Sequence, residues 1–343
     1  MAEEEVNTFS KHVGLLRDRA VDYVRDGIAT WCEQNGYNRS SGALLMSEKQ
    51  GLLEELFDKA SLLRGKFREY GELATTSIRE CVDKAAELWI NYRPKPVDRK
   101  ILAIDSGWNY RLYTGFYVYA LKAAAVDRSM NIYHPNAEVG ILANDPYGEG
   151  LIPDLVLKYT AEGYEHDIAS RAADSCDLVL VDGSLIARLE DVTRRDSPRL
   201  KREYFANTNP LRNAKNIAFV SKYSHDKSLL GGVLGDIFYI NMASSEVGYT
   251  QPFTVSRSGW VFSVFYAKLS NHANAIHVEV PAVVDEGFVH LFMDMLCGTA
   301  VQGYPYTLMV AHKVASLPNT LMEMLCKAVG LTGFQTAREV LGV

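Results

Sequence analysis

Two short apolar runs, each closing on an aspartate, constrain this chain more than any other feature. They are Ile101-Leu102-Ala103-Ile104-Asp105-Ser106-Gly107 and Leu178-Val179-Leu180-Val181-Asp182-Gly183-Ser184. A strand that is apolar along its length is buried on both faces, as in an α/β sheet. Its last residue then emerges at the sheet edge, where such architectures bind ligands. Each aspartate is expected at a tight, glycine-containing turn directly after its strand. For either one alone, side-chain to backbone hydrogen bonding in an Asp-Gly or Asp-Ser-Gly turn is a sufficient explanation. Two that converge imply more, because a pair of buried carboxylates needs a shared proton or a bound cation.

The order of elements around these runs sets the fold class. Residues from about 8 to 92 carry apolar positions at helical spacing, among them Val13, Leu16, Ala20, Tyr23 and Val24, then Leu52, Leu53, Leu56, Leu62, Leu63 and Phe67. Pro94 and Pro96 break that helix and mark a boundary. The expected domains are a helical region, 1–96, and a second region, 97–343. Beyond the boundary, strands are predicted at the Asp105 run, at 114–126 and at 137–143, forming a meander. A helix follows Pro153, with a break near Gly163, and then come the Asp182 strand, a strand at 216–220, and two antiparallel strands at 261–269 and 275–280. Helices return from about Val284. Strand, strand, strand, helix, strand is the order of a ribonuclease H-like mixed sheet. The fold class is therefore α/β, a ribonuclease H-like core with added N- and C-terminal helices, and Asp105 and Asp182 fall on neighbouring strands.

With 343 residues, 48% of them apolar, the chain can bury a sizeable core. No window approaches about 18 uninterrupted apolar residues, and the Met1-Ala2-Glu3-Glu4-Glu5 start is acidic, so a soluble cytoplasmic protein with no membrane association is expected. The five cysteines are scattered singly, which indicates neither a zinc cluster nor a disulfide framework. A net charge of −6 argues against a broad nonspecific nucleic-acid coat but leaves room for a local basic groove. The densest basic run, Arg194 to Arg202, could contact phosphates, with Tyr204 and Phe205 nearby for stacking on unpaired bases; solvated charge and core aromatics explain these equally well.

Metal-dependent phosphodiester hydrolysis uses hard oxygen ligands, because magnesium and manganese prefer carboxylates to thiolates. Two metals about 3.5–4 Å apart can activate water and stabilise the leaving oxygen. Asp105 and Asp182 would supply part of this set, and Glu165, 17 residues before Asp182, is the candidate third carboxylate, with Glu162 one turn away as the alternative. Lys222, in Ala218-Phe219-Val220-Ser221-Lys222-Tyr223-Ser224, stands just past a strand, where it could balance a phosphate. In Gly303-Tyr304-Pro305-Tyr306-Thr307-Leu308-Met309-Val310-Ala311-His312-Lys313, Tyr304 could orient water or stack on a base, and His312 could bind a metal or transfer a proton.

These four segments, in order, resemble the motifs of the NurA nucleases, over roughly residues 100 to 315. The resemblance implies a ribonuclease H-like fold and a homodimer with a central DNA channel. It also implies manganese-dependent exonuclease and single-strand endonuclease activity, and action in DNA end resection with the HerA hexameric translocase. By motif, Asp105 and Asp182 look like the metal-binding aspartates and His312 like the histidine near the metal. Glu165 matches the acidic helix position by spacing, and Tyr304 and Lys222 match the tyrosine and lysine segments. The implied cofactor is manganese or magnesium, as two ions. Asp105 is followed by Ser-Gly-Trp where many relatives read Gly-Ser.

Two other readings remain at this point. A sugar-kinase or actin-like ATPase also opens on a strand ending Asp-x-Gly, although Trp108, Asn109 and Tyr110 are bulky for a phosphate loop. An inactive DNA-binding adaptor would keep the core without the convergence of carboxylates.

Overall fold

The Leu178–Asp182 run forms the strand β5, and its first four residues are buried on both faces. We analysed a computed structural model, in which residues 78–113, 115–143 and 153–331 are described. Most of the predicted N-terminal helical region therefore lies outside the described residues. Residues 78–88 are helical, and a strand, β1 (Trp89–Asn91), follows directly. It pairs with β7 (Gly248–Thr250), so the sheet already begins on the N-terminal side of Pro94 and Pro96. The proline segment is tied to the sheet-covering helix at 286–296, where Asp294 accepts from the Lys95 amide and the Tyr92 hydroxyl.

The expected meander is present and longer than predicted. The strands β2 (Ile101–Tyr113), β3 (Phe116–Asp127) and β4 (Ile132–Ala143) pair antiparallel in sequence, with an irregularity between Ala123 and Ala125. The helix α1 (Pro153–Ala172) then carries the chain to β5, which lies parallel to β2, and β6 (Ile217–Ser221) lies parallel to β5. Parallel neighbours require a crossover, and α1 supplies the first of them. Further strands, β8 (Phe253–Arg257), β9 (Trp260–Lys268) and β10 (Ile276–Val280), complete a ten-stranded sheet in the order β1-β7-β9-β10-β6-β5-β2-β3-β4, with β8 on β9.

One expectation about α1 fails. The helix runs unbroken through Gly163, because a side chain there would meet the Asn207 amide at 2.9 Å; glycine marks a close helix contact, not a break. Asn207 belongs to α3 (Pro198–Thr208), which follows α2 (Leu185–Arg194). The remaining helices are α4 (Asp236–Ala243), α5 (Glu286–Leu296), α6 (Tyr306–Ala315) and α7 (Asn319–Ala328), and a two-stranded ribbon, β11 (Ala300–Val301) with β12 (Tyr304–Pro305), precedes α6.

Alternation along the strands sorts the core into two layers. Ile101, Ala103, Leu178 and Leu180 face one side with Val289, Phe292, Leu308 and Ala311 of α5 and α6. Ile104, Val179 and Val181 face the other with Val156, Ile168, Leu189 and Tyr204 of α1, α2 and α3. Consecutive residues thus open onto different layers. Each fully buried Leu or Val contributes about 1.5–3 kcal/mol, so both faces of β5 stabilise the centre of the sheet.

Candidate metal centre

Asp105 does not end its strand. β2 continues through Ser106 and Gly107, with Gly107 opposite Lys122 of β3, so the expected turn is absent. What ends is the parallel pairing, at Ile104 opposite Val181, and this leaves the sheet open on that side just where Asp105 and Asp182 stand. Gly107 serves α6: a Cβ there would lie 2.4 Å from the Ala315 carbonyl. The helix therefore lies tight on the strand, two residues from Asp105 and on the same face. Lys122 donates to the Val314 carbonyl at 2.9 Å and Asn109 to the Leu317 carbonyl at 2.7 Å, stitching the end of α6 to the hairpin. His312, about one turn before that end, is thereby set over Asp105.

Asp182 sits at a genuine turn. Gly183 has φ +97°, a left-handed conformation that favours glycine, and the Ser184 hydroxyl caps α2 by accepting from the Ala187 amide. The Glu279 carboxylate, fully buried on β10, accepts from the Ser184 hydroxyl and the Ile186 amide and so fixes the loop from below.

Asp105, Asp182 and His312 meet on the α6 face. The His312 Nδ1 lies 2.7 Å from Asp105 Oδ2 and 3.8 Å from Asp182 Oδ2. Each of the three offers one ligand atom, and these atoms lie within 4.8 Å of one another. Burial, reinforced by the charges of Glu165 and Asp182 and opposed by His312, pushes the Asp105 carboxyl up to about 7. The Tyr304 hydroxyl donates to Asp182 Oδ1 at 2.7 Å, and burial together with that carboxylate pushes the phenol above its usual range. The exposed Lys222 places its ammonium 4.0 Å from the Tyr304 ring centre. Five of the six expected site residues are thus together. Two oxygen ligands and an imidazole, with no thiolate, suit manganese or magnesium and leave room for water.

Glu165 is not in that trio, but its charge is the first of those raising the Asp105 carboxyl, so it lies close to the site. Its oxygens engage Ser106 Oγ and Arg188 Nη1, each at 2.5 Å, on the α1 face of the sheet. Burial raises the Glu165 carboxyl, and the Arg188 charge and the Ser106 hydroxyl pull it back. Arg188, buried and on α2, also donates to the Asp182 carbonyl at 2.7 Å and stands 3.6 Å from Glu162. Sequence reasoning missed it. The available signal was position, since Arg188 lies about one turn into the helix that the Asp-Gly-Ser turn starts. Three of the five cations in the run from Arg194 to Arg202 are engaged by neighbouring carboxylates: Arg194 pairs with Glu190, Arg195 with Asp191, and Arg199 with Glu203. Tyr204 is buried in the core.

With this geometry in place, similarity to known proteins decides the family. The NurA domain matches residues 99–317. The chain belongs to the NurA family. It is 22% identical over 329 residues to the DNA double-strand break repair nuclease NurA of Saccharolobus solfataricus, covering 81% of this chain and 96% of that one. The crystal structure of the NurA nuclease from Sulfolobus solfataricus superposes with a TM-score of 0.65 at 22% identity, covering 80% of this chain and 96% of the other. A crystal structure of NurA bound to dAMP and manganese gives a TM-score of 0.60 at 13% identity, with 80% and 97% covered. The mixed α/β sheet is thus the NurA fold, with Asp105 on β2, Asp182 ending β5, Tyr304 on β12, His312 on α6 and Lys222 just past β6. Among the described residues, no helix is long and apolar enough to cross a membrane.

Proposed function

We propose that the chain is a metal-dependent deoxyribonuclease whose ion is held by Asp105, Asp182 and His312. The convergence of these three side chains carries the reading, because two carboxylates beside an imidazole, open to solvent on the His312 side and with no cationic side chain bonded to either carboxylate among the described residues, have a use for a cation. When bound, manganese or magnesium would stabilise negative charge on the phosphate and lower the pKa of a coordinated water. The remaining groups orient and balance. Tyr304 holds Asp182 in one rotamer, and Lys222, above the same ring, meets the phosphate backbone from the exposed rim. His312 presents an exposed imidazole at the mouth of the site, within ligand reach of both aspartates.

Family membership supports the finer parts of this reading: a ribonuclease H-like core, 5′-to-3′ exonuclease and single-strand endonuclease activity, homodimerisation, and end resection with a HerA-type hexameric translocase. The strand order β4-β3-β2-β5-β6, with α1 as the crossover, agrees with that core. The ATPase reading loses its basis because β2 runs on past Asp105 and forms no phosphate loop there. The adaptor reading required carboxylates that do not converge.

The test uses end-labelled single- and double-stranded DNA with manganese, comparing wild type with Asp105→Ala and Asp182→Ala. Loss of cleavage by at least about a thousandfold in both variants is expected, since each removes an ionic ligand of the metal. Undiminished cleavage by both would refute the proposal. The position of the label that is released first reports the polarity.

A further inference from the structure

One buried histidine takes no part in the mechanism above. His277, on β10 opposite Ser221 of β6, is 2% exposed, and both of its ring nitrogens are buried without a hydrogen-bond partner among the described residues. Each nitrogen faces a carboxylate: Nε2 stands 3.5 Å from Asp226 Oδ2, and Nδ1 stands 3.5 Å from Glu279 Oε1. The Tyr266 ring of β9 packs on the imidazole with ring centres 5.2 Å apart, and its hydroxyl donates to Asp226 and to Asp236 of α4. Both Glu279 oxygens already accept, one from the Ser184 hydroxyl and one from the Ile186 amide, as an ionised carboxylate does. A neutral imidazole has one donor and one acceptor, so one of its nitrogens would turn a lone pair toward an anionic oxygen. The protonated ring presents a donor to both.

The two carboxylates each hold a loop of the site. Glu279 holds the turn that follows Asp182, through Ser184 and Ile186. Asp226 closes the loop between β6 and α4, which opens with Lys222: its carboxylate accepts from the Lys227 and Ser228 amides, and its carbonyl from the Asp236 amide. Burial acts to raise the Asp226 carboxyl, yet the imidazole and the Ser228 hydroxyl hold it below the usual carboxylate range. We infer that His277 is a positioning residue of the cleavage reaction: as a buried imidazolium it ties the turn that carries Asp182 to the loop that carries Lys222. The inference rests on the nuclease reading above and adds to it a residue that touches neither metal nor DNA. His277 stands between the supports of a metal ligand and of a phosphate contact, so one buried charge sets the distance between them.

Nitrogen-15 NMR of the histidine rings in the full-length protein at pH 7 reads the charge, with His277 assigned through its backbone resonances. Both of its ring nitrogens are expected to carry protons, and a neutral tautomer would overturn the inference. Steady-state cleavage of labelled single-stranded DNA with Mn2+ then separates the two arms. Asp226→Asn loosens the Lys222 loop and is expected to raise KM about tenfold, with the dependence of log KM on log salt shallower by about one and kcat within about twofold of wild type. Glu279→Gln loosens the Asp182 turn and is expected to lower kcat about tenfold and to weaken Mn2+ binding, with KM little changed. His277→Phe, with its fold checked by circular dichroism, should show both effects, and adding Lys222→Ala to it should cost less than Lys222→Ala costs in wild type. Folded variants that keep wild-type kcat and KM, or that all change the two alike as a merely structural role predicts, would overturn this inference alone. Undiminished cleavage by Asp105→Ala and Asp182→Ala would overturn the metal reading and this inference together.

Discussion

Asp105 and Ser106 are consecutive, yet they open onto regions built on opposite principles. On the α1 face, Glu165, Glu162, His166 and Arg188 form a closely packed set; Arg188 and Glu165 have side chains 13% and 2% exposed. On the α6 face, Asp105 and Asp182 stand 9% and 20% exposed beside a His312 ring that is 63% exposed, and Lys222, the cation nearest the rim, lies over the Tyr304 ring. With two glutamates against one guanidinium, the α1-face cluster is packed shut but not balanced. An open cluster short of a cation is a binding site. Both contain the acidic residues that a nuclease reading would select, and they differ in how far packing closes them off from solvent.

The comparison can be broken first on its closed side. Arg188→Met leaves Glu165 buried without its partner and is expected to cost about 3–5 kcal/mol of stability, measured by urea unfolding. Removing Arg99 from its exposed pair with Asp177 should cost about 1 kcal/mol or less. Equal effects would mean that the α1-face pair is not the sealed unit described.

The open side responds to pH. The Asp105 carboxyl is raised to about 7 in the folded, metal-free protein, chiefly by burial. A raised carboxyl means the folded state prefers the proton, so its contribution to stability is complete below the ordinary carboxylate pKa of about 4 and is lost as pH rises through about 7. A cation needs the ionised form, which reverses the dependence. Mn2+ affinity should therefore weaken about tenfold per pH unit below about 7 and level off above it. A titration series across that range checks this, and a flat affinity contradicts it.

The smallest of these effects belongs to Tyr304. Tyr304→Phe keeps the ring beneath Lys222 and removes the hydroxyl from Asp182. Loss of one hydrogen bond to a charged group predicts a change of about 1.5–3 kcal/mol in transition-state stabilisation, read as kcat/KM on labelled DNA, with little change in fold. An unchanged kcat/KM would separate Tyr304 from the orientation of Asp182.

Legibility in the sequence followed how local each cause was. Asp182 was readable because the features that form its turn are adjacent: four buried apolar residues, a left-handed glycine and a capping serine. Asp105 was located for a reason that the structure replaces. Its Ser-Gly pair suggested a turn, whereas the glycine makes room for the Ala315 carbonyl, a contact more than 200 residues away in the chain. Gly163 misled in the same way, with its cause in Asn207. The strand order was accessible because antiparallel neighbours follow in sequence and one helix supplies the first parallel crossover. Arg188 was not, because an arginine on an amphipathic helix looks the same whether its guanidinium meets water or two buried glutamates. The basic run from Arg194 shows the converse, charges that stood out in sequence and pair with Glu190, Asp191 and Glu203 in the fold.

The most direct test of the two-sided account is anomalous scattering at the manganese edge from crystals of this protein grown or soaked with Mn2+. A peak is predicted about 2.0–2.4 Å from an oxygen of Asp105 and of Asp182 and from a nitrogen of His312. No peak between the two aspartates would contradict the account.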